Sequence, residues 1–192
     1  MRLPTSAHAA QPWRIHEYAG DYAVEDVWAL PTLGGEHDFV RLLDLFTSRE
    51  FRARTPALVR ALFAIRWELG RLMRWDESHE STDPLPLQRR LPPDLAATAR
   101  DSTRLGPFRT LYALDNEWAA ELVNRTIDGV LHLGWVPDGE GRYRGQLAVL
   151  VRRNGLLGMA YMATIAPFRY AVVYPLMTRQ LGRAWGEIAT HR

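Results

Sequence analysis

The sequence contains no cysteine and no lysine. Without cysteine there is no disulfide framework, thiol nucleophile or thiolate metal site. All 24 basic residues are arginine, which excludes Schiff-base chemistry, a P-loop lysine and a lysine general base. Genomic base composition is the simplest cause of the missing lysine. Charge of one sign is also scarce: the formal net charge is +2, so no basic footprint points to nucleic acid as a partner. The opening Met1 to Ala10 has no apolar core of signal-peptide length, and a cytoplasmic location is expected. Metal patterns are lacking as well. The histidines are His8, His16, His37, His79, His132 and His191, with no HxH or HExxH spacing, and neither a metal nor a cofactor is expected. There is no Gly-x-Ser-x-Gly elbow. Gly34-Gly35 lacks the strand-then-helix glycine fingerprint of a dinucleotide site.

What is present suits a globular protein with a substantial core. The 192 residues are 47% hydrophobic and 24% charged. That length and balance predict one domain over residues 13–187, after a flexible arm over 1–12. The chain is organised around its last apolar run, Gly155 to Trp185. Between Asn154 and Thr178 the sole charged residue is Arg169. Leu157, Tyr161, Ile165, Phe168, Val172 and Leu176 recur at helical spacing, with Met159, Met162, Ala166, Val173 and Met177 beside them. Such a helix must be buried against something large or lie in lipid. At ~1.5 Å per residue it would reach ~45 Å. Pro167 and Pro175 bend it or divide it into shorter helices.

Upstream, Trp13 to Tyr18 reads as a short edge strand and Asp21 to Leu30 as the first clear strand, ended by Pro31 and Gly34-Gly35. Phe39, Leu42, Leu43 and Phe46 make an amphipathic helix. Thr55-Pro56 begins a second one, running to Trp75, with Leu58, Leu62, Ile65, Leu69 and Leu72 on its apolar face. Residues 76–107 then form a long proline-rich loop, a candidate lid, with a short helix within Asp94 to Arg100. Eight arginines between Arg41 and Arg74 form a basic helix face that suits an acidic partner or anionic lipid, or simply solvent.

From Phe108 four strands follow in meander order: Phe108 to Asp115, Trp118 to Ile127, Val130 to Val136 and Tyr143 to Arg152. Asp128-Gly129 is a strong hairpin signal. A two-residue turn there pairs Thr126 with Leu131, Asn124 with Leu133 and Leu122 with Trp135. That places Leu122, Leu131, Leu133 and Trp135 on one face with Asn124 and Thr126. Glu121, Val123, Arg125 and His132 fall on the opposite face, which suits solvent. The economical arrangement has the sheet and the C-terminal helix cover each other.

Asn124-Arg-Thr126, Leu131-His-Leu-Gly-Trp135, Gln146-Leu-Ala-Val149, Leu157-Gly-Met-Ala-Tyr161-Met, Pro167-Phe-Arg and Val173-Tyr-Pro175 together resemble the DUF2867 family of uncharacterised bacterial proteins. No single one of these motifs is specific; their order and spacing carry the resemblance, over roughly Asp21 to Trp185. The family looks like a branch of the START-like, or SRPBCC, superfamily. The resemblance implies an α+β helix-grip fold, in which an antiparallel sheet wraps a long C-terminal helix, with two helices in the N-terminal half. It also implies an apolar cavity between sheet and helix, rather than any one reaction.

The resulting expectation is a pocket for a small hydrophobic molecule. Asn124, Thr126, Leu131, Leu133, Trp135 and Tyr161 would line it, and Asn124, Thr126, Trp135 and Tyr161 would orient the ligand. A cyclase or lyase type of enzyme in the same cavity is the alternative, and it requires an ionisable group inside. A weaker expectation is a peripheral membrane surface. The apolar run exceeds the ~20 residues of a span, but Arg169 and the prolines oppose spanning. Glu121, Arg125 and His132 read as a solvated cross-strand cluster.

Overall fold

A computed structural model describes residues 1–53, 85–99, 105, 108–123, 127–153, 167 and 169–190. The elements in chain order are β1 (Arg2–Leu3), α1 (Ser6–Ala9), α2 (Ile15–Tyr18), β2 (Ala23–Ala29), α3 (Phe39–Thr47) and α4 (Arg49–Ala53). A 3-10 turn (Gln88–Arg90) and α5 (Pro93–Ala96) follow. Then come β3 (Arg109–Ala113), β4 (Glu117–Val123), β5 (Ile127–Pro137) and β6 (Tyr143–Arg153). A π-helical turn (Arg169–Val173) leads into the C-terminal α6 (Tyr174–Thr190). The fold is α+β, built on one open six-stranded sheet in the order β1-β2-β6-β5-β4-β3. Every pairing in it is antiparallel.

The four-strand meander is where the alternation placed it. The β4–β5 register is not. Observed partners are Trp118 with Leu133, Ala120 with Leu131 and Leu122 with Gly129. Asp128-Gly129 therefore sits within β5 rather than forming the turn. The physical reason is visible at Asp128. Its carboxylate is buried and takes the Arg152 guanidinium from the neighbouring strand, with Nε at 3.0 Å. A turn residue in water could not make that pair. The shift in partner is an even number of residues, so the face parity survives: Leu131, Leu133 and Trp135 do share a face with Leu122.

Both faces of the sheet are covered. On one lie α3, α4 and α6, closing a core of Trp28, Leu30, Phe39, Leu42, Phe46, Trp118, Leu133, Leu147, Leu181 and Trp185. α3 supplies Phe39, Leu42, Leu43 and Phe46 at three- and four-residue spacing. α6 presents Tyr174, Leu181, Ala184 and Trp185. It runs on past the expected end at Trp185, and the π-helical turn gives way to it just before Pro175, whose missing N–H cannot continue a regular ladder. Gly182 lies so close to Pro31 that a Cβ would come within 2.8 Å of the proline ring, which lets α6 press on the β2–α3 connection. Trp185 Nε1 fastens the same connection by donating to the Leu33 carbonyl at 2.9 Å.

The other face carries a second core: Trp13, Ile15, Tyr22, Val27, Leu87, Leu91, Leu95, Leu111, Tyr112, Ala119, Val130, Val136 and Leu150. It is closed by the first 22 residues and by 85–96. The expected edge strand at Trp13 to Tyr18 is instead the helical turn α2, which turns Ile15 fully inward. Where an arm was expected over 1–12, the structure has β1 paired with β2 and α1 with His8 wholly buried. Residues 85–99 of the long proline-rich loop lie on this face, opposite α6; the rest of that loop is outside the described residues apart from Leu105. So is the expected helix from Pro56 to Trp75.

Candidate functional site

The register lays the helix-side face out in rows across the sheet. Trp28, Leu147, Leu133 and Trp118 form one row. All four are buried, with Leu133 and Trp118 at 0% exposure. The adjacent row is Asp26, Val149, Leu131 and Ala120. Here the cover is thinner: Val149 and Leu131 are half-buried and pack on the core's margin with Tyr170 and Met177. Asp26 is 1% exposed. A carboxylate taken out of water needs hydrogen-bond donors, and the Tyr174 hydroxyl supplies one at 2.9 Å. The Tyr174 ring is fixed by stacking on Trp28, centroids 4.7 Å apart. A buried carboxylate–phenol pair therefore stands at the boundary between the sealed core and its half-covered margin.

Three of the six expected ligand contacts fall on this face. Leu131 is at the margin. Leu133 is sealed in the core. Trp135 is buried near Trp185, its Nε1 donating to the Gly35 carbonyl at 3.0 Å. Asn124, Thr126 and Tyr161 lie outside the described residues. Asp26 was missed because its strand alternates only loosely. A β-bulge between Val24 and Asp26 shifts the register there, so a period-two reading assigns faces wrongly from that point.

The second face holds a chain of ionisable side chains. His16 Nε2 is 3.1 Å from His8 Nδ1. His8 Nε2 is 3.2 Å from His132 Nδ1. His132 Nε2 is 2.8 Å from Glu117 Oε2. Glu117 also accepts the Tyr112 hydroxyl at 3.2 Å and the Arg14 backbone N–H at 2.8 Å. His8, His132 and Glu117 are at most 1% exposed, and His16 is half-buried. Burial lowers the pKa of His8 to about 3, helped by His132 and His16 beside it. Burial also lowers that of His16, helped by His132 and opposed by the Glu117 charge. Desolvation, reinforced by Glu117, pushes the Tyr112 hydroxyl up, so it remains a donor.

His132 and Glu121 are thus not the solvated cluster that strand alternation suggested. Glu121 is also fully buried. It accepts the Tyr22 hydroxyl at 3.2 Å and the Leu87 N–H at 3.1 Å, which pins the 85–91 segment to the sheet. Desolvation raises its pKa. At the rim, Asp21 takes both Arg90 and Arg152, which hold its carboxyl well below the usual range. The signal that would have flagged this face was its composition. Ala119, Val130, Ala148 and Leu150 share it with the polar residues, and a face that is half apolar needs a cover.

The histidine chain is linear, because His8 spends one ring nitrogen on each neighbour. Among the described residues no group of three or more histidine or acidic side chains is arranged to hold a metal ion, and no helix is long and apolar enough to cross a membrane. A cleft of about 530 Å³ opens between α3–α4 and α6, with Leu45, Phe51 and Leu176 inside and Arg183 and Glu187 among its charged residues. It is lined by no sheet residue.

Compared with known proteins, residues 18–176 match the model of a family described as Protein of unknown function (DUF2867). No curated protein and no solved structure matches the chain.

Proposed function

The chain belongs to the DUF2867 family, and from that premise we propose that it binds a small hydrophobic molecule between the sheet and the C-terminal helix, as a START-like helix-grip protein would. The observation that carries this reading is the Asp26–Tyr174 pair set beside Leu131, Val149, Tyr170 and Met177. Apolar surface with one or two fixed polar groups is the usual make-up of a small-molecule site. A buried carboxylate favours a ligand that carries a hydroxyl or amine donor. On this reading the site lies at the Leu131 end of the face, with Leu133 and Trp135 as its supporting wall. The partner is a small molecule rather than nucleic acid or a membrane surface, and the setting is the cytoplasm.

The same pair supports a second reading, an enzyme of the cyclase or lyase type. Such chemistry needs a base near an apolar substrate, and Asp26 is an ionisable group in the right place, its carboxylate oriented by the Tyr174 hydroxyl. Titration with an apolar fluorescent probe tests the common premise. Wild type should bind saturably, and Leu131→Trp, which fills the half-covered margin, should abolish binding while leaving the fold intact. Equal binding by both proteins places the pocket elsewhere. Asp26→Asn then divides the two readings, since a carrier keeps much of its affinity and an enzyme loses turnover while retaining the ligand.

A further inference from the structure

We propose that the chain His16–His8–His132–Glu117 is an acid-sensitive latch, which holds the first 22 residues on the sheet while its histidines are neutral and releases them on proton uptake. The inference rests on a part of the molecule that the ligand reading does not use. His8 and His16 also precede the residues matched by the family model.

One set of tautomers satisfies every bond. If Glu117 is ionised, His132 must donate to it from Nε2. Its Nδ1 then accepts from His8 Nε2–H, and His8 Nδ1 accepts from His16 Nε2–H. All three rings carry their hydrogen on Nε2, an assignment made from the hydrogen-bond network. A proton arriving from solvent meets His16 first, at its Nδ1, because that ring alone is half-exposed. The chain can pass it inward. The His16 Nε2–H bond breaks as a His8 Nδ1–H bond forms. The His8 Nε2–H breaks as His132 Nδ1–H forms, and the His132 Nε2–H breaks as Glu117 gains the proton. Each hydrogen bond survives with its direction reversed, and the net change is one proton on Glu117.

The chain ends there. Among the described residues Glu117 leads on to Tyr112 and the Arg14 N–H, both donors, so the relay finds no onward acceptor there. A second proton has no carboxylate to neutralise and must sit on a buried imidazole. Among the described residues the groups facing the chain offer it no free counter-charge. From β3 comes the Tyr112 hydroxyl, and from β6 the neutral Gln146 amide, donating to the Ala7 carbonyl at 3.4 Å. From the α2 turn comes Arg14, whose guanidinium is engaged by Glu17 and Tyr18. The low-energy response is to free His8 and His16 into water, where each takes a proton.

His8 and His16 both have folded pKa values below the ordinary 6.5. For a depressed histidine, the stabilisation is complete above the unfolded value and is lost as pH falls through the window beneath it. Docking of residues 1–22 should therefore weaken below about pH 6.5 and go on weakening toward the His8 value of about 3.

The test is hydrogen exchange of the full chain between pH 7 and 4, expressed as protection factors so that the intrinsic rate cancels. The latch predicts that amides of Ala7 to Ala19 lose protection on acidification while those of β5 and β6 keep theirs. Two protons per opening correspond to roughly a hundredfold per pH unit. His8→Gln should reduce that slope to tenfold or less. Because His8→Gln could undock the segment at every pH, the ring protons of the three histidines are also followed by NMR in wild type. Protection of Ala7 to Ala19 unchanged between pH 7 and 4 overturns the proposal. So does titration of His8 near 6.5 with the segment still docked.

Discussion

The two faces of one sheet solve burial in opposite ways. Under α3 and α6 the strands present tryptophan, leucine and alanine, and the one carboxylate described there, Asp26, stands at the edge of the sealed region. Under the N-terminal turns and the 85–96 segment the same strands bury Glu117, Glu121, Asp128 and His132. Apolar packing is tolerant of partners, whereas a buried charge requires a particular donor at a particular distance. On the first face Leu131 and Val149 stay half-buried at the margin of the core. The second is committed to holding two pieces of its own chain in place: Glu117 takes the Arg14 N–H, and Glu121 takes the Leu87 N–H.

The largest difference should appear on the ionisable face. Glu117→Ala strands the His132 ring nitrogen, the Tyr112 hydroxyl and the Arg14 N–H together, and should cost ~3–5 kcal/mol by denaturant unfolding. Replacing Glu117 and His132 together by leucine and phenylalanine should recover little of that loss, since the Tyr112 hydroxyl and the Arg14 N–H stay stranded and His8 Nε2 loses its partner as well. On the helix-side face, Leu147→Ala should cost ~2–5 kcal/mol through its cavity, with no rescue by a polar partner. Gly134→Ala comes next. A Cβ there would lie 2.6 Å from the Trp13 ring, and displacing that ring should cost ~1–3 kcal/mol and loosen the N-terminal segment selectively.

The secondary structure of the meander was legible because alternation and turn residues agree over Tyr143 to Arg153 and its hairpin. The helix α3 was legible from Phe39, Leu42, Leu43 and Phe46. Two things were not. The β4–β5 register depends on the buried Asp128–Arg152 pair, and local turn propensity at Asp128-Gly129 points elsewhere. Burial of the polar face depends on residues more than a hundred positions away, such as His8 against His132. No periodicity within a strand reports what another segment will lay across it. Of the expected site, Leu131, Leu133 and Trp135 came together on one face, while Asp26 lay beyond a bulge that sequence spacing does not reveal.

Smaller effects separate the two ionisable clusters. Glu121 has a raised pKa, so its contribution to stability is full below the ordinary value of 4.5 and is lost as pH rises through the raised one. His8 and His16 act in the opposite direction, losing theirs as pH falls. Above pH 4.5 the two act against each other, so Glu121→Gln, which leaves only the histidine contribution, should make the loss of stability on acidification steeper than in wild type. The smallest effect belongs to the rim. Arg90→Ala removes a partner of the partly exposed Asp21 and should cost less than ~1 kcal/mol, with a marked salt dependence.

The reading of the helix-side face is tested most directly by native mass spectrometry of the protein as purified from cells, followed by extraction of whatever is bound. The account predicts a stoichiometric small apolar molecule on wild type that is absent from Leu131→Trp. A bare protein mass for wild type, together with no saturable uptake of an apolar probe, would contradict it and leave the Asp26–Tyr174 pair as a purely structural contact.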